Sequence, residues 1–244
     1  MNSPVVFVSD LHLDEMVPER LQRFERFLFE DLASLGCKDL YILGDVFNVW
    51  YRDCELAETY GDRILDLLAR FREQGGQLEM VVGNRDFALC FDRTLAPPFP
   101  IHEKAIERMI GTRRFYLCHG DDLARKDYGY RVMHNLIRRK FPLAVFHSLG
   151  TSGKRFIVRA LIGISQEVKK RKSIWRREAY RPFLADLVDG GIDVCIQGHR
   201  HSQAFRIIDG NIRSGRHFVL PRWFDRSCGL IYYPSEDRFR FFSQ

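Results

Sequence analysis

Apolar positions in the first half of the chain alternate between two spacings. Three short runs, Val5-Val6-Phe7-Val8, Leu40-Tyr41-Ile42-Leu43 and Leu78-Glu79-Met80-Val81-Val82, are too short for helices and carry the bulky side chains of buried strands. Between them, Leu21, Phe24, Phe27, Leu28 and Leu32, and then Ile64, Leu67, Leu68 and Phe71, recur every three or four positions, which predicts helices over residues 18–35 and 56–71 with one apolar face each. Gly36 and Gly75-Gly76 suit the ends of these helices. This β-α-β-α-β order predicts a parallel central sheet, because parallel neighbours need a crossover between them. Two more strand-like runs, residues 114–118 and 193–197, flank a segment with a helical pattern. The tail, residues 203–242, holds four short apolar or aromatic runs expected to form a second sheet. The predicted architecture is an α/β core of residues 1–121 and 183–244, interrupted by a helical cap insertion over residues 122–182.

Composition leaves this picture intact. The chain of 244 residues is 45 % apolar and 29 % charged, enough to bury one sizeable core and without the low-complexity bias of a disordered or fibrous protein. Its six cysteines (Cys37, Cys54, Cys90, Cys118, Cys195, Cys228) are scattered with no C-x-x-C pair, which argues against a disulfide framework or a thiolate zinc site. The first apolar run lacks a basic segment before it and is broken at once by Ser9-Asp10, so a signal peptide is not expected, nor is any run long enough to span a bilayer. These features predict a cytoplasmic protein.

Charge does change the picture. Between Asp122 and Arg181 stand sixteen Lys or Arg against four Asp or Glu, whereas the whole chain carries only +6. The segment therefore presents a basic surface to an anionic partner, while the rest of the chain is acidic on balance. From Phe141 to Val168 the basic residues are interleaved with Phe141, Leu143, Val145, Phe146, Phe156, Ile157, Leu161, Ile164 and Val168. Such a face can pack as a lid, lie on an anionic membrane or hold acyl chains; it also fits an ordinary charged exterior over a helical core. Lys169-Lys170-Arg171-Lys172 can neutralise nucleic-acid phosphates, but no recognition motif or aromatic stacking platform accompanies it, so nucleic acid is not expected as a partner and no protein partner is evident.

Chemistry concentrates where five predicted strands end. Val8 leads into Ser9-Asp10-Leu11-His12, Leu43 into Gly44-Asp45, Val82 into Gly83-Asn84-Arg85-Asp86, Cys118 into His119-Gly120-Asp121, and Gln197 into Gly198-His199-Arg200-His201. The carboxyl ends of strands line the ligand crevice of open α/β sheets, so these loops should converge. Any one of them alone is most simply a turn; five at strand ends form a ligand set. Oxygen and imidazole donors without thiolate favour manganese, iron or zinc, and there are more donors than one ion needs. A pair of ions about 4 Å apart, bridged by a carboxylate, lets one activate water while both clamp a phosphoryl group. Asp45 is the candidate bridge.

These motifs, in this order, resemble the calcineurin-like metallophosphoesterase superfamily over essentially the whole chain. The resemblance implies a four-layer α-β-β-α sandwich of two mixed sheets, with Asp10, His12, Asp45 and His201 on one divalent ion and Asp45, Asn84, His119 and His199 on a second, manganese being favoured. Within the superfamily, Ser9-Asp10-Leu11-His12-Leu13, Tyr41-Ile42-Leu43-Gly44-Asp45-Val46-Phe47 with Trp50, Gly83-Asn84-Arg85-Asp86-Phe87, and His119-Gly120-Asp121 followed by Asp127, Gly129 and Tyr130 are similar to the UDP-2,3-diacylglucosamine pyrophosphatases of lipid A biosynthesis. Arg85 is the most telling residue, since many superfamily members carry a histidine after the Asn. An arginine cannot donate a proton at neutral pH but can grip phosphate oxygens in two hydrogen bonds, which suits a diphosphate whose leaving group is already a stable anion.

That resemblance implies hydrolysis of an acylated UDP-sugar at the inner-membrane surface by a peripherally associated enzyme. Asp45, Asn84, Arg85, His119 and His199 are then the catalytic group. Asn84, Arg85 and His199 also bind substrate, joined by Asp127, Ser165, Lys169 and Lys172 from the cap. Two departures stand out: Arg200 replaces the Thr usual between the two histidines, and the cap matches only loosely. A phosphomonoester, phosphodiester or nucleic-acid end is the alternative substrate for the same metal pair, and a non-enzymatic binding module on a decayed site is the third reading, one opposed by the complete ligand set.

Overall fold

The computed structural model describes residues 3–48, 50, 60–91, 96–121, 123, 150, 153, 181–223 and 226–244. In them the strand signals resolve into two mixed sheets. The first has the order β11 (Arg238–Ser243), β10 (Cys228–Tyr233), β1 (Val5–Val8), β2 (Asp39–Leu43), β3 (Gln77–Val81) and β4 (Ile101–His102). The second runs β5 (Ile106–Ile110), β6 (Arg113–Cys118), β7 (Val194–Gln197), β9 (Ser214–Val219) and β8 (Ala204–Asp209). β1 through β4 are parallel neighbours, with Val8 opposite Ile42 and Leu43 opposite Val81, so the exits of β1, β2 and β3 lie at one level. The second sheet repeats the arrangement, with Cys118 opposite Gln197 and Gln197 opposite Val219 in parallel register.

The period of two in each strand sorts its side chains between layers. Val6 and Val8 face outward with Leu40, Ile42, Leu78 and Met80, under Phe24 and Phe27 and the Ile64, Leu68 and Phe71 stripe. Those stripes belong to α1 (Pro18–Arg26), which continues through a π turn (Phe27–Asp31) into α2 (Leu32–Ser34), and to α3 (Tyr60–Glu73). Val5, Phe7, Leu43 and Val81 face inward and meet Phe115, Leu117, Val194, Ile196 and Phe218 of the second sheet. Phe7 stacks on Phe115 across the interface at 5.8 Å. Each such side chain removed from water contributes about 1.5–3 kcal/mol. On the far side, Leu184 and Val188 of α4 (Arg181–Asp189) cover Cys118, Cys195 and Ile208. The layers are thus helix, sheet, sheet, helix, as the resemblance implied.

The tail departs from the expectation of a separate second sheet. β8 and β9 extend the sheet begun by β5, β6 and β7, whereas β10 and β11 return to the first sheet, β10 running antiparallel to β1 with Val6 opposite Ile231. Residues 114–118 and 193–197, read as strands flanking the basic segment, pair with each other inside the second sheet. Alternation predicts a strand but carries no record of its neighbour, which long-range packing decides. The helix read over residues 56–71 begins at Tyr60 within the described region. Of the expected cap over residues 122–182, residues 123, 150, 153, 181 and 182 are described; Asp127, Ser165, Lys169 and Lys172 lie outside the described residues.

Candidate metal centre

All seven predicted metal donors meet at the shared end of the two sheets. Backbone hydrogen bonds continue the β1–β2 ladder into the loops: Asp10 N donates to Gly44 O, His12 N to Asp45 O and Leu13 N to Val46 O, at 2.8–3.0 Å. These loops then bend sharply. Asp10, His12, Asp45, His199 and His201 all adopt φ between 47° and 66°, the left-handed region that costs an L-residue about 1–3 kcal/mol and persists where the surroundings impose it. The sole other described non-glycine residue there is Asp237. The bend turns successive side chains into one space. Gly44, at φ 80°, permits it: a Cβ at that position would stand 2.6 Å from both Gly83 N and His119 Nδ1.

The donors divide into two groups joined by Asp45. In one, His201 Nε2 stands 3.1 Å from Asp10 Oδ1 and 3.3 Å from His12 Nε2, and His12 Nε2 is 3.9 Å from Asp45 Oδ2. In the other, His119 Nε2 is 3.6 Å from Asp45 Oδ1 and 3.3 Å from Asn84 Oδ1. There His199 Nδ1 lies 3.2 Å from His119 Nε2 and 3.0 Å from Asn84 Oδ1. One carboxylate oxygen of Asp45 thus faces each group.

This arrangement fits divalent cations. Asp10 is fully buried, yet its Oδ1 accepts no hydrogen bond, an expensive state for a carboxylate oxygen unless a cation completes it. Its Oδ2, by contrast, is held by Ser9 Oγ at 2.7 Å and His199 N at 2.9 Å, fixing Oδ1 toward the histidines. His119 Nδ1 donates to Leu43 O at 2.8 Å, which turns Nε2 inward as a donor atom. The donor types, oxygen and imidazole, suit borderline to hard divalent ions.

Protonation follows the same crowding. Burial would raise the Asp10 carboxyl, but the close approach of the His201 imidazole and the charges of His119, His201 and His12 hold it below the ordinary carboxylate range. Burial, reinforced by the neighbouring Asp10 charge, pushes Asp45 up against the pull of His119 and Arg85. Burial opposes charge on His119, yet Asp45, Asp10 and Asp121 raise it to about 9. His199 is pushed down to about 3 by burial and by the His119 charge. Two imidazole nitrogens 3.2 Å apart cannot both hold a proton, and a dication among them would take its place.

Several supporting residues were not singled out by sequence. Asp86 is fully buried and accepts Gly83 N at 2.5 Å and Val46 N at 2.7 Å, tying the β2 exit to the β3 exit. Burial and the Asp45 charge push its carboxyl up to about 7. Arg85 N donates to Asp45 Oδ1 at 2.9 Å, and its guanidinium Nη1 donates to Asn48 O and Oδ1, both at 2.9 Å. A carboxylate three residues after a glycine at a strand end was the available signal for Asp86; Asn48 offered none. Two further described histidines stay apart from the cluster: His102 contacts Glu79 at 2.8 Å, and His217 lies buried 2.9 Å from Gln197.

With fold and geometry in hand, the class is defined: the chain belongs to the calcineurin-like phosphoesterase family, whose pattern matches residues 3–203. It is 28 % identical to the UDP-2,3-diacylglucosamine hydrolase of Aeromonas hydrophila, covering 96 % of each chain. To the protein of the same name from Aeromonas salmonicida it is 30 % identical, over 96 % of this chain and 91 % of the relative. For the one from Haemophilus influenzae strain Rd the identity is 30 % and the coverage 88 % and 92 %. The fold is shared with an archaeal phosphodiesterase, at a TM-score of 0.51 and 13 % identity over 99 % of both chains.

Proposed function

We propose that this chain is a two-metal hydrolase that cleaves the diphosphate of UDP-2,3-diacylglucosamine, giving 2,3-diacylglucosamine 1-phosphate and UMP. The observation that carries the reading is the position of Asp45, one oxygen toward Asp10, His12 and His201 and the other toward Asn84, His119 and His199. The names of the relatives support the substrate. Asp10, His12, Asp45 and His201 would hold one cation and Asp45, Asn84, His119 and His199 the other, manganese being favoured. Such a pair, when bound, supplies the Lewis acidity that activates water and neutralises phosphoryl oxygens.

The chain's own residues do the rest. Arg85 and Asn84 grip the phosphoryl oxygens, and Arg85 takes the place where a proton donor would otherwise stand. Water adds to phosphorus and gives up its proton to solvent, the bridging P–O bond breaks, and the acylated sugar 1-phosphate departs as a stable anion that needs no proton from the enzyme. His199 steadies the same oxygens. The basic and apolar insertion over residues 122–182 forms a cap that meets the anionic inner-membrane surface and takes the acyl chains, with Asp127, Ser165, Lys169 and Lys172 contacting substrate.

A turnover panel tests this reading. Purified protein with Mn2+ is expected to release UMP from UDP-2,3-diacylglucosamine at least roughly 100-fold faster than from UDP-N-acetylglucosamine, because binding energy from remote acyl chains is realised at the reacting centre. Equal rates on the two, or preference for a simple phosphodiester, would reject the acylated substrate and favour the alternative phosphoesterase.

A further inference from the structure

The guanidinium of Arg85 is held by a short polar chain outside the donor set. Arg85 Nη1 donates to Asn48 twice, to the backbone O and to Oδ1, each at 2.9 Å. The Asn48 amide then turns its other end away: Nδ2 donates to Asp14 Oδ2 at 2.5 Å. Asp14 is itself anchored, its Oδ1 accepting Met16 N at 3.0 Å. The backbone around Asn48 joins three strand exits, with Asn48 N donating to Leu13 O and Trp50 N donating to Arg85 O, both at 3.0 Å. Asn48 is thus fixed at main chain and side chain alike. Its amide orientation follows from its partners, since only an acceptor can face the guanidinium and only a donor can face a carboxylate.

The consequence falls on Arg85. With Nη1 spent on Asn48, Nε lies buried without a hydrogen-bond partner, 3.8 Å from Asp45 Oδ2. A long flexible side chain gripping a phosphate must otherwise lose rotamer freedom on binding, and a side chain already locked has lost it in folding. Resting on the proposed role of Arg85 toward the diphosphate, we infer that Asp14 and Asn48 are positioning residues, a relay that preorders Arg85 beside the metal centre and through it sets the selectivity for a diphosphate.

The relay predicts a reciprocal rescue. Asn48→Asp keeps an acceptor for Arg85 but sets two carboxylates face to face, and should lower kcat/KM on UDP-2,3-diacylglucosamine roughly 10-fold or more. Adding Asp14→Asn restores a donor opposite the new carboxylate, so the swapped pair should recover to within about threefold of the parent. In an Arg85→Ala background neither Asn48→Asp nor the swap should change kcat/KM further, because the residue they position is gone. A chain acting only through the fold would lower activity there as well. Metal content and melting temperature of each variant separate misfolding from mispositioning.

Failure of the swap to recover activity in a folded, metal-loaded protein would overturn the relay. Undiminished loss in the Arg85→Ala background would do the same, as would an Arg85→Ala protein as active as the parent. If the parent hydrolyses bis(p-nitrophenyl) phosphate but not UDP-2,3-diacylglucosamine, the substrate reading fails, and the same cycle measured on the diester decides the relay on its own.

Discussion

At the scale of single residues, the strain of the backbone marks the site as clearly as the donor types do. Five of the seven donors sit at positive φ, a conformation that L-residues adopt as isolated exceptions. Type and spacing made the donors legible: a polar residue with metal-binding capacity next to glycine, immediately after an apolar strand. The strain was illegible, since neither Asp nor His announces its φ. Ser9, Asn48 and Asp86, which orient the donors and Arg85, were equally hidden as functional parts, being ordinary polar residues whose value depends on partners 34 to 40 positions away.

The strain itself is measurable at His201, where φ is 59°. Both His201→Gly and His201→Ala remove the imidazole, but glycine tolerates this conformation and alanine does not. In metal-free protein the glycine variant should be the more stable by about 1 kcal/mol in denaturant unfolding. An alanine variant of equal or greater stability would show that the loop relaxes and that the left-handed bend is not imposed on it.

Among elements, what the pattern predicted and what it missed follow from the range of the interactions involved. The β1, β2 and β3 runs and the two helical stripes between them were readable because burial on both faces leaves continuous apolar strands and period-3.6 stripes. β5 was missed because Glu107 and Arg108 interrupt its apolar pattern at a sheet edge, where such charges are tolerated. The division of the tail between the sheets depends on β10 finding β1 across more than two hundred residues, information that local alternation does not contain.

The turn between β10 and β11 gives this element level a pH signature. Asp237 binds Arg113 at 2.7 Å and Arg216 at 3.0 Å, both from the second sheet, so it clasps the two sheets at the end of the first. The hydrogen bond from Arg113 leads in lowering its carboxyl to about 2, with Arg216 adding to it and burial opposing. A depressed folded-state value stabilises the fold fully above the unfolded value near pH 4, and that contribution is lost as pH falls from about 4 to about 2. Allowing for solvent screening of these partly exposed groups, it amounts to about 1 kcal/mol. The stability gap between the parent and Asp237→Asn should therefore close across that window in acid unfolding; a gap that stays constant would place the clasp's energy elsewhere.

For the whole molecule, two sheets bring strand exits from residues 8 to 201 to one rim, so that loops remote in sequence share one cluster of candidate metal ligands. Among the described residues no helix is long and apolar enough to cross a membrane. Under the proposed function, hydrolysis falls to the core and contact with the acyl chains to the basic insertion. The central claim is that hydrolysis depends on two divalent cations that Asp45 and its six neighbouring ligands would hold, and it can be measured by stripping the protein with a chelator and titrating Mn2+ back while following bound metal and UMP release together. The account predicts that turnover is absent without metal and reaches its plateau at two equivalents per chain, and that Asp45→Asn, still folded, binds less metal and loses roughly 100-fold or more in kcat. Full turnover in the chelated protein, or parental turnover by Asp45→Asn, would contradict it.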